Sequence, residues 1–300
     1  MVTLTRPEGS APEDFAELLA PSRRSFAALV AAGYAAAATA ADAAAIATPA
    51  TGLVIDSVTM ADGLPGYVAR PAGKARHGAV IVVNEVFGLH EYIRDICRRF
   101  ARAGYVAIAP EFFHRNDPDR TLATSTDFPY ILKIVGAAKN EQVMGDVGTT
   151  LDWLGKQAFV DPRHIGITGF CWGGNVVWMA AARFPALRAG AAWYGRLAPP
   201  KPGAPVTEVR KYPLEIVGEL KAPVLGLYGA LDKGIPVADV EAMQAALKAS
   251  ANPAARASSI TLYPQADHGF HADYRASYNA ADATDGWRRL LAHFKAHGVG

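Results

Sequence analysis

Short apolar runs, many of them β-branched, alternate along most of the chain with longer segments of helical period, and turn residues separate the two kinds. Leu53 to Met60 and Gly66 to Arg70 read as strands joined by the turn residues Asp62-Gly63. Gly78 to Asn84, G-A-V-I-V-V-N, is a continuous apolar run suited to a strand buried on both faces. A helix is predicted from about Glu91 to Ala103, then a buried strand from Tyr105 to Ala109 that ends at Pro110. Residues Glu111 to about Asp127 show no period and read as a long loop, and a helix over about Glu141 to Lys156 leads through Asp161-Pro162 to the strand Ile165 to Thr168. Beyond it lie an apolar helical segment from Asn175, a strand over Arg188 to Tyr194 and an irregular Pro-rich stretch from Pro199 to Pro223. A strand at Val224 to Tyr228, a helix over about Val237 to Ala249, a strand at Ser258 to Tyr263 and a long helix from about Tyr278 to His297 complete the chain. Such alternation predicts an α/β protein with a doubly wound, mostly parallel sheet, in which ligands bind at the carboxyl ends of the strands.

The first 47 residues do not share this pattern. A polar start leads to Ser22-Arg23-Arg24-Ser25-Phe26, then to an Ala-rich uncharged stretch from Ala27 to Ala41 and small residues offering A-x-A sites. This resembles a twin-arginine export signal, with cleavage after Ala40 or Ala47, and implies a periplasmic protein that engages the twin-arginine translocation machinery. An Ala-rich N-terminal helix of a cytosolic protein is the competing reading. The apolar stretch is shorter and weaker than the roughly 20 apolar residues a membrane span needs, so no stable membrane insertion is expected. Residues 48–300 then form the folded body.

Composition narrows the function. The 300 residues are 51% hydrophobic and 19% charged, enough for one large core, and a net charge of +2 without basic runs leaves no footprint for nucleic acid. The two cysteines, Cys97 and Cys171, exclude a disulfide framework. Cys97 falls in an amphipathic helix pattern and reads as a packed thiol. Cys171 falls in I-G-I-T-G-F-C-W-G-G-N, where a strand stops, Gly169 and Gly173 flank the cysteine two places either side, and a helix begins. That is the pattern of a nucleophile elbow, with a thiol in place of the usual hydroxyl. A small apolar residue at a tight turn is the alternative.

Two further residues follow their own strands in the order nucleophile, acid, histidine: Asp232 after Val224 to Tyr228, and His268 after Ser258 to Tyr263. This is the chain order of α/β-hydrolases. His268 would accept the thiol proton or hold the thiolate as an ion pair, with Asp232 fixing its tautomer. Asp267 competes for the acid role, but its adjacency to His268 argues against it. Glu85 ends the most apolar strand and faces either solvent, as a helix cap, or the nucleophile, where a carboxylate disfavours thiolate and can take its proton. His268 and His271 stand three apart in a loop without a completing carboxylate pattern, so neither a metal nor another cofactor is expected. A thiol redox role lacks a C-x-x-C motif.

The stretches N-E-V-F-G-L, A-P-E-F-F-H-R, D-P-R-H-I-G-I-T-G-F-C-W-G-G, W-Y-G and D-H-G-F together resemble the dienelactone hydrolase (carboxymethylenebutenolidase) family from about Leu53 to the C-terminus. The resemblance implies an α/β-hydrolase fold and a small-molecule ester or lactone as substrate. It implies Cys171 as nucleophile, His268 and Asp232 as its partners, and Glu85 as the carboxylate that takes the thiol proton on substrate binding. Backbone N–H groups of Trp172 and Val86 would form the oxyanion hole. Tyr194, in W-Y-G, is a candidate substrate contact. Family members of aromatic degradation hold a substrate carboxylate with two arginines. Here Thr121 to Ile131 and Gly269 to Asp273 contain none, and Arg120, Arg196 and Arg275 are the nearest substitutes. The competing function is a general carboxylesterase or an exported binding protein on the same fold, either one a monomer or a small homo-oligomer.

Overall fold

The computed structural model describes residues 45–199 and 211–300. The arginine pair, the Ala-rich stretch and the Ala40 cleavage site therefore lie outside the described residues, as does part of the Pro-rich stretch after Pro199.

In chain order the regular elements are β1 (Leu53–Thr59), β2 (Pro65–Pro71), β3 (His77–Val83), α1 (Glu91–Arg102), β4 (Val106–Pro110), α2 (Phe128–Ala137), α3 (Asn140–Gly155) and β5 (Val160–Phe170). There follow α4 (Trp172–Arg183), β6 (Leu187–Trp193), β7 (Val224–Gly229), α5 (Val237–Ala249), α6 (Pro253–Arg256), β8 (Ser259–Tyr263) and α7 (Ala280–Ala296). The eight strands form one sheet in the order β1-β2-β4-β3-β5-β6-β7-β8. Strands β1 and β2 run antiparallel to their neighbours, and β3 to β8 are parallel. This is the mostly parallel, doubly wound sheet that the alternation predicts.

Strand β3 occupies the centre because it has no polar face: Ala79 to Val83 are all fully buried. Each such aliphatic side chain contributes about 1.5–3 kcal/mol when withdrawn from water. On its two sides β3 pairs with β4 and β5, and the register Val83↔Gly169 brings the end of β3 beside the end of β5. Helix α1 covers the sheet through Ile93, Ile96, Cys97 and Phe100, which recur at helical spacing and are buried. Burial pushes the Cys97 thiol up, so it is a packed, un-ionised side chain.

Besides the short helix α6, which the sequence expectation lacks, two elements differ from it. The elbow strand runs over Val160–Phe170 rather than four residues, because its polar beginning still pairs with β3 at His77↔Val160. Helix α2 replaces the unstructured lead into α3. Its start is marked by Asp127, whose carboxylate accepts from the Tyr130 N–H at 3.2 Å, and by Pro129 in the first turn. Only Ile131 of this helix is buried, which is why its period is faint.

Candidate active site

Loops at the carboxyl ends of β3, β7 and β8 gather around the turn after β5 that bears Cys171. The cysteine has φ 56° and ψ −114°, a conformation that L residues adopt only when the surroundings enforce it. The enforcement is visible on both sides. The Cys171 N–H donates to the Trp193 carbonyl at 3.0 Å, and its own carbonyl accepts from Gly174 at 3.0 Å. A Cβ on Gly169 would stand 2.4 Å from the Gly173 carbonyl oxygen, and one on Gly173 would stand 2.6 Å from the oxygens of both Val83 and Asn84. Glycine at both positions is thus a condition of the turn, and the elbow reading of this stretch describes what the backbone does.

The Asp232 and His268 loops are held together by backbone bonds, Ala230 N–H to Tyr263 O and Leu231 N–H to Ala266 O, each 2.9 Å. Asp232 therefore reaches His268, and its Oδ2 lies 2.6 Å from Nδ1 while Oδ1 accepts from the Gly234 N–H at 2.8 Å. Burial opposes charge on the imidazole, but the Asp232 carboxylate and the hydrogen-bonded Cys171 sulfur outweigh it and push His268 up to about 10. Asp267 is exposed and accepts from the backbone N–H of His268, not from its ring.

Glu85 is fully buried at the end of β3. Its Oε1 accepts from Arg275 Nη2 at 2.8 Å and its Oε2 from the Tyr274 hydroxyl at 2.6 Å, with His90 Nε2 3.5 Å away. Burial alone would raise this carboxyl; Arg275, then His90 and Tyr274, hold it down to about 2. Glu85 is thus buried rather than turned to solvent, and its charge is matched by a guanidinium. Arg275 is 3% exposed, lies over the rings of Phe87 and Tyr274, and carries a charge that Cys171 also stabilises. Gly269 makes room for it, since a Cβ there would come within 2.9 Å of the arginine Cδ.

The other candidates separate. Tyr194 is fully buried with φ 37°, and its ring stands 5.2 Å from that of His268, edge to face. Trp172 opens α4, so its N–H is one of the first four that a helix leaves without an internal acceptor. Its indole packs on Phe112 and Phe113. Val86 follows Glu85 in the loop after β3 and is 8% exposed. Arg120 is half exposed and paired with Glu111 at 2.8 Å, while Arg196 is exposed and offers its backbone carbonyl to Asn175. Of the three arginines only Arg275 joins the buried cluster. Tyr274 and His90, which complete the cluster, and His271, whose Nδ1 lies 2.7 Å from the Tyr92 hydroxyl, were not singled out as site groups by the sequence reasoning. The adjacency of Tyr274 and Arg275 to the D-H-G-F stretch is the signal that points toward them.

A mostly parallel eight-stranded sheet, a strained elbow after β5 and acid and histidine loops after the next strands define an α/β-hydrolase. More narrowly, the chain belongs to the dienelactone hydrolase family, whose profile matches residues 64–298. It is 43% identical over 257 residues to a candidate carboxymethylenebutenolidase of Methylorubrum extorquens, covering 85% of each chain. It is 46% identical over 241 residues to one from Escherichia coli O157:H7, covering 79% of this chain and 84% of the relative. Among solved structures, a candidate dienelactone hydrolase from Klebsiella pneumoniae subsp. pneumoniae MGH 78578 is 42% identical, with a TM-score of 0.72, over 81% of this chain and 98% of that one. The protein is a dienelactone hydrolase-like hydrolase.

Proposed function

We propose that this hydrolase cleaves small esters or lactones through Cys171, with His268 and Asp232 as its proton-handling pair. The observation that carries the reading is the coupling of His268 to both Asp232 and the sulfur of a cysteine strained at an elbow. The Cys171 sulfur attacks the carbonyl carbon while His268 holds the thiol proton, and the resulting oxyanion is met by the N–H groups of Trp172 and Val86. Collapse breaks the C–O bond, the leaving oxygen takes the proton from His268, and an acyl thioester remains. Water, giving its proton to His268, then attacks the thioester and frees the acid and the thiol.

Substrates of the dienelactone type, whose carboxylate would compete with Glu85 for Arg275, are favoured by the names of the relatives at 43% and 46% identity. Such an exchange would release Glu85 to accept the thiol proton. A neutral ester is the second reading, and the engagement of the half-exposed Arg120 by the buried Glu111 favours it. Turnover of unsaturated lactones and nitrophenyl esters, with and without a carboxylate, by the wild type and by Cys171→Ala tests both. Hydrolysis that survives Cys171→Ala would remove the cysteine mechanism.

We also propose that the N-terminal segment directs twin-arginine export to the periplasm, on the strength of the Arg23-Arg24 pair and the Ala-rich stretch. Among the described residues no helix is long and apolar enough to cross a membrane. The measurement is the intact mass of the protein from periplasmic and cytosolic fractions. An unprocessed cytosolic chain, unchanged by Arg23→Lys with Arg24→Lys, would refute export.

A further inference from the structure

Helix α1, which follows the Glu85 loop, carries a polar stripe that the chemistry above leaves unused. Tyr92, Asp95, Arg99 and Arg102 recur at helical spacing along one side of it. The stripe faces the loop that bears His268 and Arg275. Tyr92 meets His271 at 2.7 Å, and burial, then the charge of Arg99, keeps that imidazole down to about 3 and therefore neutral. Arg99 donates from Nε to Asp95 at 2.6 Å and from Nη2 to Asp273. Asp95 is 1% exposed and Asp273 3%, so one guanidinium joins two buried carboxylates, one on the helix and one in the loop.

The chain before β1 closes over this arrangement. The Thr48 N–H donates to Asp95 Oδ1 at 2.6 Å and the Thr48 hydroxyl to Oδ2 at 3.3 Å. The Ile46 N–H donates to Asp273, and Arg102 donates to the Pro49 carbonyl at 2.9 Å. Arg98 Nη2 also donates to Asp95 Oδ1, at 3.0 Å, so without Thr48 this carboxylate keeps its two arginines and loses the hydrogen bonds that tie it to the chain before β1. We propose that residues 46–49, which a chain cleaved after Ala40 keeps, are a strap that, through Asp95, Arg99 and Asp273, positions the loop carrying His268 and Arg275. The loop transmits the constraint because it is cross-linked: Ala272 N–H to Gly269 O is 2.8 Å, Arg275 N–H to Ala272 O is 3.0 Å, and Asn279 N–H to Phe270 O is 2.9 Å. Asp273 stands two residues before Arg275, so a loop freed at Asp273 shifts the groups that meet Glu85 and Asp232. Thr48 and Asp273 are positioning residues; neither reaches the reacting atoms.

The inference rests on His268 acting as the site base, and its test separates the two. In the chain that keeps residues 46–49, Thr48→Pro removes both Thr48 donors, the N–H and the hydroxyl, at a residue that Pro49 already confines to extended backbone. Asp273→Asn keeps the shape and removes the charge. The readouts are kcat, KM, the pH profile, the melting temperature and amide exchange over residues 268–275. The expected result is a fall in kcat of about tenfold, since small misplacements of catalytic groups are expensive. The alkaline limb should move to lower pH as His268 loses part of its hold on Asp232, and exchange in the loop should quicken. Melting should fall by only about 4–8 °C in Thr48→Pro, the effect of two hydrogen bonds. Arg99→Lys should retain more activity than Arg99→Gln. Wild-type kcat, pH profile and loop exchange in both Thr48→Pro and Asp273→Asn would overturn the strap, as would lowered kcat with unchanged exchange. Hydrolysis that persists in Cys171→Ala would instead strike the cysteine mechanism, while loop exchange still decides the strap.

Discussion

Glu85→Gln tests the buried cluster most directly, because it removes one charge and almost no volume. The Glu85–Arg275 pair is 2.8 Å long, with both side chains 2% exposed or less. Glutamine can still accept from Tyr274, but it leaves the guanidinium buried without a counter-charge, a loss of about 3–5 kcal/mol. The carboxyl's titration gives a second figure. Its displacement from 4.5 to about 2 corresponds to about 3 kcal/mol of stabilisation at neutral pH. Because the folded value is the lower one, that stabilisation is complete above the unfolded value and disappears as pH falls through the folded one. The expected outcome at pH 7 is a melting temperature lower by about 10 °C. The gap from the wild type should narrow below about pH 4 and close near pH 2. The freed guanidinium also favours thiolate at Cys171, so alkylation by iodoacetamide should accelerate while hydrolysis falls. Thermal melts from pH 2 to 8 beside alkylation and turnover rates supply the data. Equal melting at pH 7, with parallel acid profiles and unchanged alkylation, would refute the reasoning.

Other substitutions probe the remaining parts. Cys171→Ser should lose about a hundredfold or more in kcat, since a hydroxyl ionises far less readily than the thiol for which the site is arranged; undiminished turnover would contradict this. Asp232→Asn should return His268 from about 10 toward its ordinary value, followed by the imidazole proton resonances, and lower kcat by roughly two to four orders of magnitude. The raised histidine stabilises the fold fully below pH 6.5 and loses that contribution as pH rises through about 10, so the same variant should also lose part of the wild type's alkaline destabilisation. Gly173→Ala places a Cβ 2.6 Å from two carbonyl oxygens and should cost about 1–3 kcal/mol in chemical denaturation. It should also slow turnover, because the elbow must shift away from the Glu85 loop.

The parts legible in the sequence were those written in local chemistry. The apolar run of β3 and the glycines around Cys171 each lie within a few residues, the acid and the histidine each follow their own strand, and the mostly parallel sheet follows from the alternation of elements. Helix α2 was not legible, because a helix that buries only Ile131 leaves little amphipathic period. The partner of Glu85 was hidden for another reason. Arg275 lies 190 residues away in sequence, and a search for a carboxylate-binding arginine between Gly269 and Asp273 stops two residues short of it. The strap contacts span 47 residues between Thr48 and Asp95, and no local pattern announces them.

The glycine contacts around the elbow have a consequence for redesign. Besides Gly169 and Gly173, Gly174 and Gly195 meet so closely that a Cβ on Gly195 would lie 2.2 Å from the Gly174 carbonyl carbon. Backbone rests on backbone there, and the position of the nucleophile's Cα is set chiefly by main-chain contacts. Side-chain packing nearby is separate, Phe87 against Arg275 and Trp172 on Phe112 and Phe113. Those aromatic residues can therefore be exchanged while the turn that aims the sulfur stays in place. Changes at the four glycines offer no comparable latitude, since they move the reactive atom before they alter anything the substrate touches.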